Sequence, residues 1–198
     1  MARGINTKCL HLEEEEGCCN NYGSISFPIY QTATYAHPAV GQSTGFDYSR
    51  LQNPTREHLE RIVATLENGI DALAFSTGMA AITLVMELFK PGDHLIVDAD
   101  LYGGSIRLFD NVSAKNGLQF SRIDCWKEDV ESYVNENTKA IYIETPTNPM
   151  MNVTDIAALA DIAKRHDLLL IVDNTFLSPY FQNPLNLGDD IVVHSGTK

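Results

Sequence analysis

The sequence predicts an α/β fold, a mostly parallel sheet flanked by helices. From Asp71 onward, short apolar runs alternate with helix-length amphipathic stretches, the order expected when crossover helices join parallel strands. The clearest run, Leu168–Val172, has no polar interruption, as in a strand covered on both faces. The composition is that of an ordinary globular chain: 198 residues, 44% hydrophobic and 20% charged, enough for one large domain.

Residues 1–45 lack long periodicity. Glu13–Glu16 is a solvated acidic run and Pro28–Tyr35 alternates like a short extended segment, so 1–45 reads as an arm and 46–198 as the α/β domain. A helix follows Pro54, with Leu59, Ile62, Val63 and Leu66 on one face, a start at Pro54–Thr55 and a stop at Gly69. Ala72–Phe75 reads as a strand, and Ser76–Phe89 as a turn running into a helix. Pro91–Gly92 turns the chain into the strand His94–Asp98. Asp100–Gly117 is loop then helix, Leu118–Asp124 a strand, and Lys127–Val134 a helical segment. Lys139–Glu144 is a strand, Thr145–Pro149 a stiff loop, and Asp155–His166 a helix with Ile156, Leu159, Ala160 and Ala163 on one face. The last strand falls in Asp190–Val193.

Charge and composition narrow the function. The formal net charge of −12 disfavours nucleic acid and anionic membranes as partners. No apolar run approaches the ~20 residues of a membrane span, and the N-terminus has no apolar core of a secretory signal. Cys9, Cys18, Cys19 and Cys125 form no C-x-x-C pair. Even with His11 near Cys9, scattered reduced thiols are the plainer reading, so no metal is expected and a cytoplasmic setting is. Neither G-x-x-x-x-G-K-[ST] nor G-x-G-x-x-G occurs, so a nucleotide cradle has no support.

The chemistry lies where the strands end. Ser76–Gly78, Asp100–Gly104, Glu144–Pro149, Asp173–Thr175 and His194–Lys198 each follow an apolar run, and in a parallel sheet such positions share one edge. Asp173 closes a fully apolar run, where an unpaired carboxylate is costly to bury. Lys198 closes another, with the hydroxyls of Ser195 and Thr197 beside it. A carboxylate, a primary amine and two hydroxyls together suit pyridoxal phosphate. The amine condenses with the aldehyde, the carboxylate keeps the ring nitrogen protonated, and the hydroxyls bind phosphate. Gly78 opens a helix whose free N–H groups can also bind phosphate.

VDNTFLSPYFQNPLNLGDDIVVHSGTK (Val172–Lys198) and YSRLQNPT (Tyr48–Thr55) closely resemble the trans-sulfuration, or Cys/Met metabolism, family of pyridoxal-phosphate enzymes. The resemblance covers the chain beyond about Tyr22. It implies the large domain of an aspartate-aminotransferase-like, fold type I enzyme, with Lys198 carrying the cofactor and Asp173 on its ring nitrogen. It also implies Tyr102 stacked on the ring, Asn148 near the phenolic oxygen, and Gly78, Met79, Ser195 and Thr197 on the phosphate. Tyr48 and Arg50 are implied to reach a partner subunit's phosphate, in a homotetramer built as a dimer of dimers whose N-terminal arms pack on neighbours. Lys198, Tyr102 and Asp173 are the expected catalytic residues.

The implied reactions are β- or γ-elimination or γ-replacement on sulfur-containing or O-acylated homoserine amino acids. LYGGSIRLF and VVHSGTK look most like the cystathionine γ-synthase and cystathionine lyase branch. Methionine γ-lyase and O-acetylhomoserine sulfhydrylase are the alternatives, although Gly104 stands where methionine γ-lyases carry cysteine. The family continues for roughly as much chain again after the lysine, through a C-terminal domain with a carboxylate-binding arginine. A truncated cofactor-binding or interaction fragment, inactive by itself, is therefore the expectation of another class.

Overall fold

The structure, a computed structural model, describes residues 4–10, 24 and 26–198. His11, the acidic run Glu13–Glu16, the pair Cys18–Cys19 and Tyr22 lie outside the described residues. The chain divides into two compact units, Met1–Ala74 and Phe75–Lys198.

In the first unit a short helix, α1 (Ile5–Leu10), is present where the sequence showed no periodicity, and the main helix is α2 (Pro54–Glu67). The helix starts at Pro54, as expected, and Asn53 caps it. Its side-chain oxygen accepts the Thr55 N–H at 2.9 Å, and its Nδ2 donates to the Tyr30 carbonyl at 3.0 Å and Ser49 Oγ at 2.9 Å. One side chain thus ties the 28–35 segment and the Tyr48–Arg50 loop to the helix start. Asn68, left-handed at φ 59°, ends the helix, and the Gly69 N–H returns to the Ala64 carbonyl at 2.8 Å.

Ala72–Phe75 is not a strand. The Ala72 N–H goes to the Asp71 carboxylate at 2.8 Å and the Ala74 N–H to Glu60 Oε1 at 2.9 Å. Side-chain carboxylates take the amides that a sheet ladder would have used.

The second unit carries α3 (Gly78–Met86), β1 (His94–Asp98), α4 (Gly103–Leu108), β2 (Gln119–Ile123), β3 (Thr138–Glu144), α5 (Ile156–Arg165), β4 (Leu169–Asp173), α6 (Ser178–Phe181) and β5 (Ile191–Val193). A π-type turn, Phe109–Ser113, extends α4, and a single 3-10 turn, Val130–Tyr133, stands where Lys127–Val134 was expected to be helical. All strand pairs are parallel, in the order β2-β1-β3-β4-β5. Every β1 residue is buried, as are all of β3 but Lys139 and all of β4 but Leu169, which is why these runs are so apolar.

Alternate residues feed two cores. Ile96, Ile141, Ile143, Leu170 and Val172 pack with Ile156, Leu159, Ala160 and Ala163 of α5, the face read from its spacing. Leu95, Val97, Tyr142 and Ile171 pack on the other side with Ile82, Val85 and Met86 of α3 and with Phe109. The order in which strands are added reverses between β1 and β3, the kind of point at which open α/β sheets bind ligands beyond the carboxyl ends of their strands.

Candidate active site

Three strands end in buried acids: β1 in Asp98, β3 in Glu144 and β4 in Asp173. Glu144 and Asp173 are register partners, and Asp173 in turn pairs with Val193 of β5. In-register residues of parallel strands point to the same face, so the two carboxyls lie side by side. Burial pushes the Glu144 carboxyl up to about 7, helped by negative charge on Asp173, Asp100 and Asp98. Burial likewise raises Asp98 to about 6, and it raises Asp173 against the hydrogen bonds of Thr175 and the neighbouring His194. Tyr142, fully buried one turn of the pleat earlier, is held well above its ordinary range by burial first and then by Asp173.

Asp173 is fixed by its own turn. The Thr175 N–H, at 3.1 Å, and its hydroxyl, at 2.5 Å, both donate to Asp173 Oδ1. Thr175 Oγ1 also accepts the Ser195 N–H at 2.9 Å, which ties the end of β4 to the loop after β5. Beside it, Asn174 and Gln182 exchange hydrogen bonds, with Asn174 Nδ2 on the Gln182 carbonyl at 2.9 Å and Gln182 Nε2 on Asn174 Oδ1 at 2.9 Å. Gln182 Nε2 reaches the Thr145 carbonyl at 3.1 Å as well. The loops after β3, β4 and β5 are therefore one connected polar layer.

The helix starts complete the rim. Thr77 caps α3 by accepting the Ala80 N–H at 3.0 Å, so the Gly78 and Met79 N–H groups precede the first intrahelical bond. Gly78 abuts Ser195: a Cβ there would lie 3.0 Å from Ser195 Cβ. A Cβ on Gly104 would fall 2.4 Å from Tyr102 Cε1 and 2.8 Å from Met79 Sδ. A side chain at 104 would therefore require the Tyr102 ring and Met79 to shift. The Tyr102 N–H donates to Glu144 Oε2 at 2.7 Å.

The structure brings together Gly78 with Ser195, Met79 with Tyr102, and Asp173 with Ser195 through Thr175. Asn148 sits half-buried in the loop after β3. Thr197 and Lys198 are exposed, the Lys198 N–H donating to the Ser195 carbonyl at 3.3 Å. Tyr48 and Arg50 belong to the other unit, where the Arg50 guanidinium lies 4.9 Å from the Tyr48 ring centroid. Sequence reasoning gave no role to Glu144, Asp100 or Thr175. Glu144 carried the same signal as Asp173, an acid closing an apolar run.

These residues fit the expected cofactor. A buried carboxyl whose burial disfavours charge gains most from a cationic N–H placed against it. Free helix-start amides meeting a hydroxyl at a glycine contact form a cradle for a phosphate.

A parallel α/β sheet with acids at its carboxyl edge and a lysine after its last strand sets its polar groups where open α/β domains bind ligands. Residues 6–198 match the family described as Cys/Met metabolism PLP-dependent enzyme. The chain belongs to that family. It is 54% identical over 177 residues to a cystathionine gamma-lyase of Bacillus subtilis, covering 89% of this chain and 47% of the relative. It is 56% identical to a cystathionine gamma-synthase/O-acetylhomoserine (thiol)-lyase of the same organism, covering 89% and 48%. Among solved structures, metB from Corynebacterium glutamicum superposes with a TM-score of 0.93 at 42% identity, covering 100% of this chain and 51% of that one. A cystathionine gamma-lyase from Lactobacillus plantarum, complexed with L-serine, gives 0.89 at 46% identity, covering 97% and 50%. The chain spans about half the length of these relatives.

The raised carboxyls predict a pH dependence of stability. In the cofactor-free fold Glu144 holds its proton to about pH 7, whereas in the unfolded chain it ionises near 4.5. Between those values the native state binds the extra proton, so stability falls as pH rises through the window and levels off above it. Glu144→Gln, whose amide oxygen still accepts the Tyr102 N–H, should flatten that part of the fall. The urea midpoint at about pH 5 and about pH 8 reads it; an unchanged slope in the variant would remove Glu144 as the source.

Proposed function

We propose that this protein is a pyridoxal-phosphate enzyme of sulfur amino-acid metabolism, of the cystathionine γ-synthase or cystathionine lyase type. The observation that supports it most is the convergence of Asp173, Ser195, Gly78 and Tyr102 on the sheet edge that leads into Lys198. Pyridoxal phosphate supplies an aldehyde that holds amino substrates and a cationic ring that accepts the electron pair freed at Cα.

The chain's residues do the rest. Asp173 would keep a proton on the ring nitrogen, because a buried carboxylate favours the cationic partner. Gly78 and Met79 amides with the Ser195 and Thr197 hydroxyls would hold the phosphate. Tyr102 would pack on the ring, and Asn148 would serve the phenolic oxygen. Lys198 would anchor the cofactor through its Nζ, and the same amine would serve as the base for the substrate Cα proton. The substrate is a sulfur-containing or O-acylated homoserine amino acid, handled by elimination or γ-replacement. Residues 1–45 act as an arm on a neighbouring subunit and 46–198 as the cofactor domain, in a cytoplasmic homotetramer whose sites are shared between copies. Tyr48 and Arg50 serve the phosphate of a partner subunit, where a planar guanidinium matches the anion.

The complete protein, continuing beyond Lys198 as its relatives do, with added cofactor, assayed for keto acid and thiol release from cystathionine and for γ-replacement with an O-acylhomoserine and cysteine, tests this reading. Turnover of one of these is the expected result; cofactor uptake with turnover of none overturns it. For the shared site, Arg50→Ala and Lys198→Ala proteins should each be inactive, and a mixture should recover roughly a quarter of wild-type turnover, the statistical share for one intact site in mixed dimers. Mixed assemblies that form without recovering activity would rule out Arg50 acting in trans.

A further inference from the structure

Two carboxylates cross the crevice between β1 and β3 in opposite directions. Asp100, on the loop after β1, accepts at Oδ2 the Thr147 hydroxyl, the Met150 N–H at 3.2 Å and Asn152 Nδ2 at 3.5 Å, all from the loop after β3. Glu144, at the end of β3, accepts the Tyr102 N–H from the loop after β1. While donating to Asp100, Thr147 Oγ1 accepts the Asn152 N–H at 2.9 Å, and the Thr147 N–H goes to the Asn152 carbonyl at 2.9 Å. The Met151 N–H closes on the Thr147 carbonyl at 3.1 Å.

The turn Thr147–Asn152 is therefore closed on itself and hung from one carboxylate, with Asn148 inside it. Thr147 is fully buried, so this link is shielded from competing water. A charged acceptor serving several donors at once is the stronger kind of hydrogen-bond anchor.

We infer that Asp100 is a positioning residue for Asn148 and, with Glu144, forms a reciprocal clasp that fixes Asn148 and Tyr102 relative to each other across the crevice. The inference rests on the proposed function, in which Asn148 meets the cofactor's phenolic oxygen and Tyr102 its ring. Asp100 itself touches neither; it acts through the backbone of the loop it holds.

The test is the absorbance of the pyridoxal-phosphate-loaded protein titrated with pH, for wild type, Asp100→Ala, Asp100→Asn, Asn148→Ala and the Asp100→Ala/Asn148→Ala double variant. Asn148→Ala should move the apparent pKa of the cofactor band. Asp100→Ala should move it in the same direction by about one pH unit, a tenfold change in proton affinity. The double variant should move no further than Asn148→Ala alone, because one change acts through the other. Asp100→Asn, keeping an oxygen acceptor but no charge, should fall between, and it decides the matter if Asp100→Ala does not fold. A wild-type titration in the Asp100 variants, an additive shift in the double variant, or an unmoved Asn148→Ala protein each overturns the inference. If borohydride fixes no cofactor on Lys198 of the wild-type protein, the proposed function falls and the inference with it. That failure is distinct, because Lys198 labelling does not involve Asp100.

Discussion

Lys198→Ala protein, incubated with pyridoxal phosphate and reduced with borohydride, is expected to carry no covalent cofactor, while the wild-type chain carries it on Lys198 alone. Peptide mapping by mass checks this. The expectation follows from position: Lys198 stands just beyond β5, which pairs with β4, and the intervening Ser195 is bonded to the Asp173 turn through Thr175. Lys164, on the outer helix α5, has no such neighbours at the sheet edge. Turnover should fall by roughly 10⁴-fold, the upper range for losing a positioned proton-transfer group. Label on Lys164, or unaltered label in the Lys198→Ala protein, would sink the assignment.

Asp173→Asn should bind cofactor nearly as well as wild type yet exchange the substrate Cα proton about 10²–10⁴-fold more slowly. The geometry makes this a clean replacement. Both Thr175 donors go to Asp173 Oδ1, and the amide oxygen of asparagine can accept both, so the turn and its link to Ser195 survive. What would be lost, on the proposed function, is the charge that keeps the ring nitrogen protonated. Deuterium wash-in at Cα followed by NMR reads the effect directly. Exchange within about threefold of wild type, with cofactor bound, would mean the carboxylate charge is not what activates the substrate.

Where the sequence was readable, burial on two faces made it so. His94–Asp98, Lys139–Glu144 and Leu168–Val172 are apolar because all their residues except Lys139 and Leu169 are buried, and the structure places β1, β3 and β4 there. Ala72–Phe75 has the same local character but finds carboxylate acceptors in place of a neighbouring strand, and pairing is not written in four residues. The 3-10 turn at Val130–Tyr133 replaces a longer helix for a similar reason. Glu128 spends its carboxylate on the Asp124 N–H at 2.9 Å and the Tyr133 hydroxyl at 2.8 Å, contacts that favour a compact turn.

At the site, Asp173 announced itself as an acid closing an apolar run. Glu144 and Asp98 do the same, and reading the three together would have found the acidic edge. The hold of Asp100 on Thr147 and Met150 had no such signal, because it joins loops far apart in the chain through a crossover that only the folded sheet brings together.

The strand order has a consequence for how the molecule assembles. After β1 and β2 pair, β3 docks on the free edge of β1, β4 on β3 and β5 on β4. Growth of the sheet from that point therefore follows the direction of synthesis, although every pairing is parallel and spans a crossover, which makes it slow. Pulsed hydrogen exchange during refolding should show the β1 and β3 amides protected before those of β5. The acidic end of β4 is then laid down before β5 and the lysine that follows it.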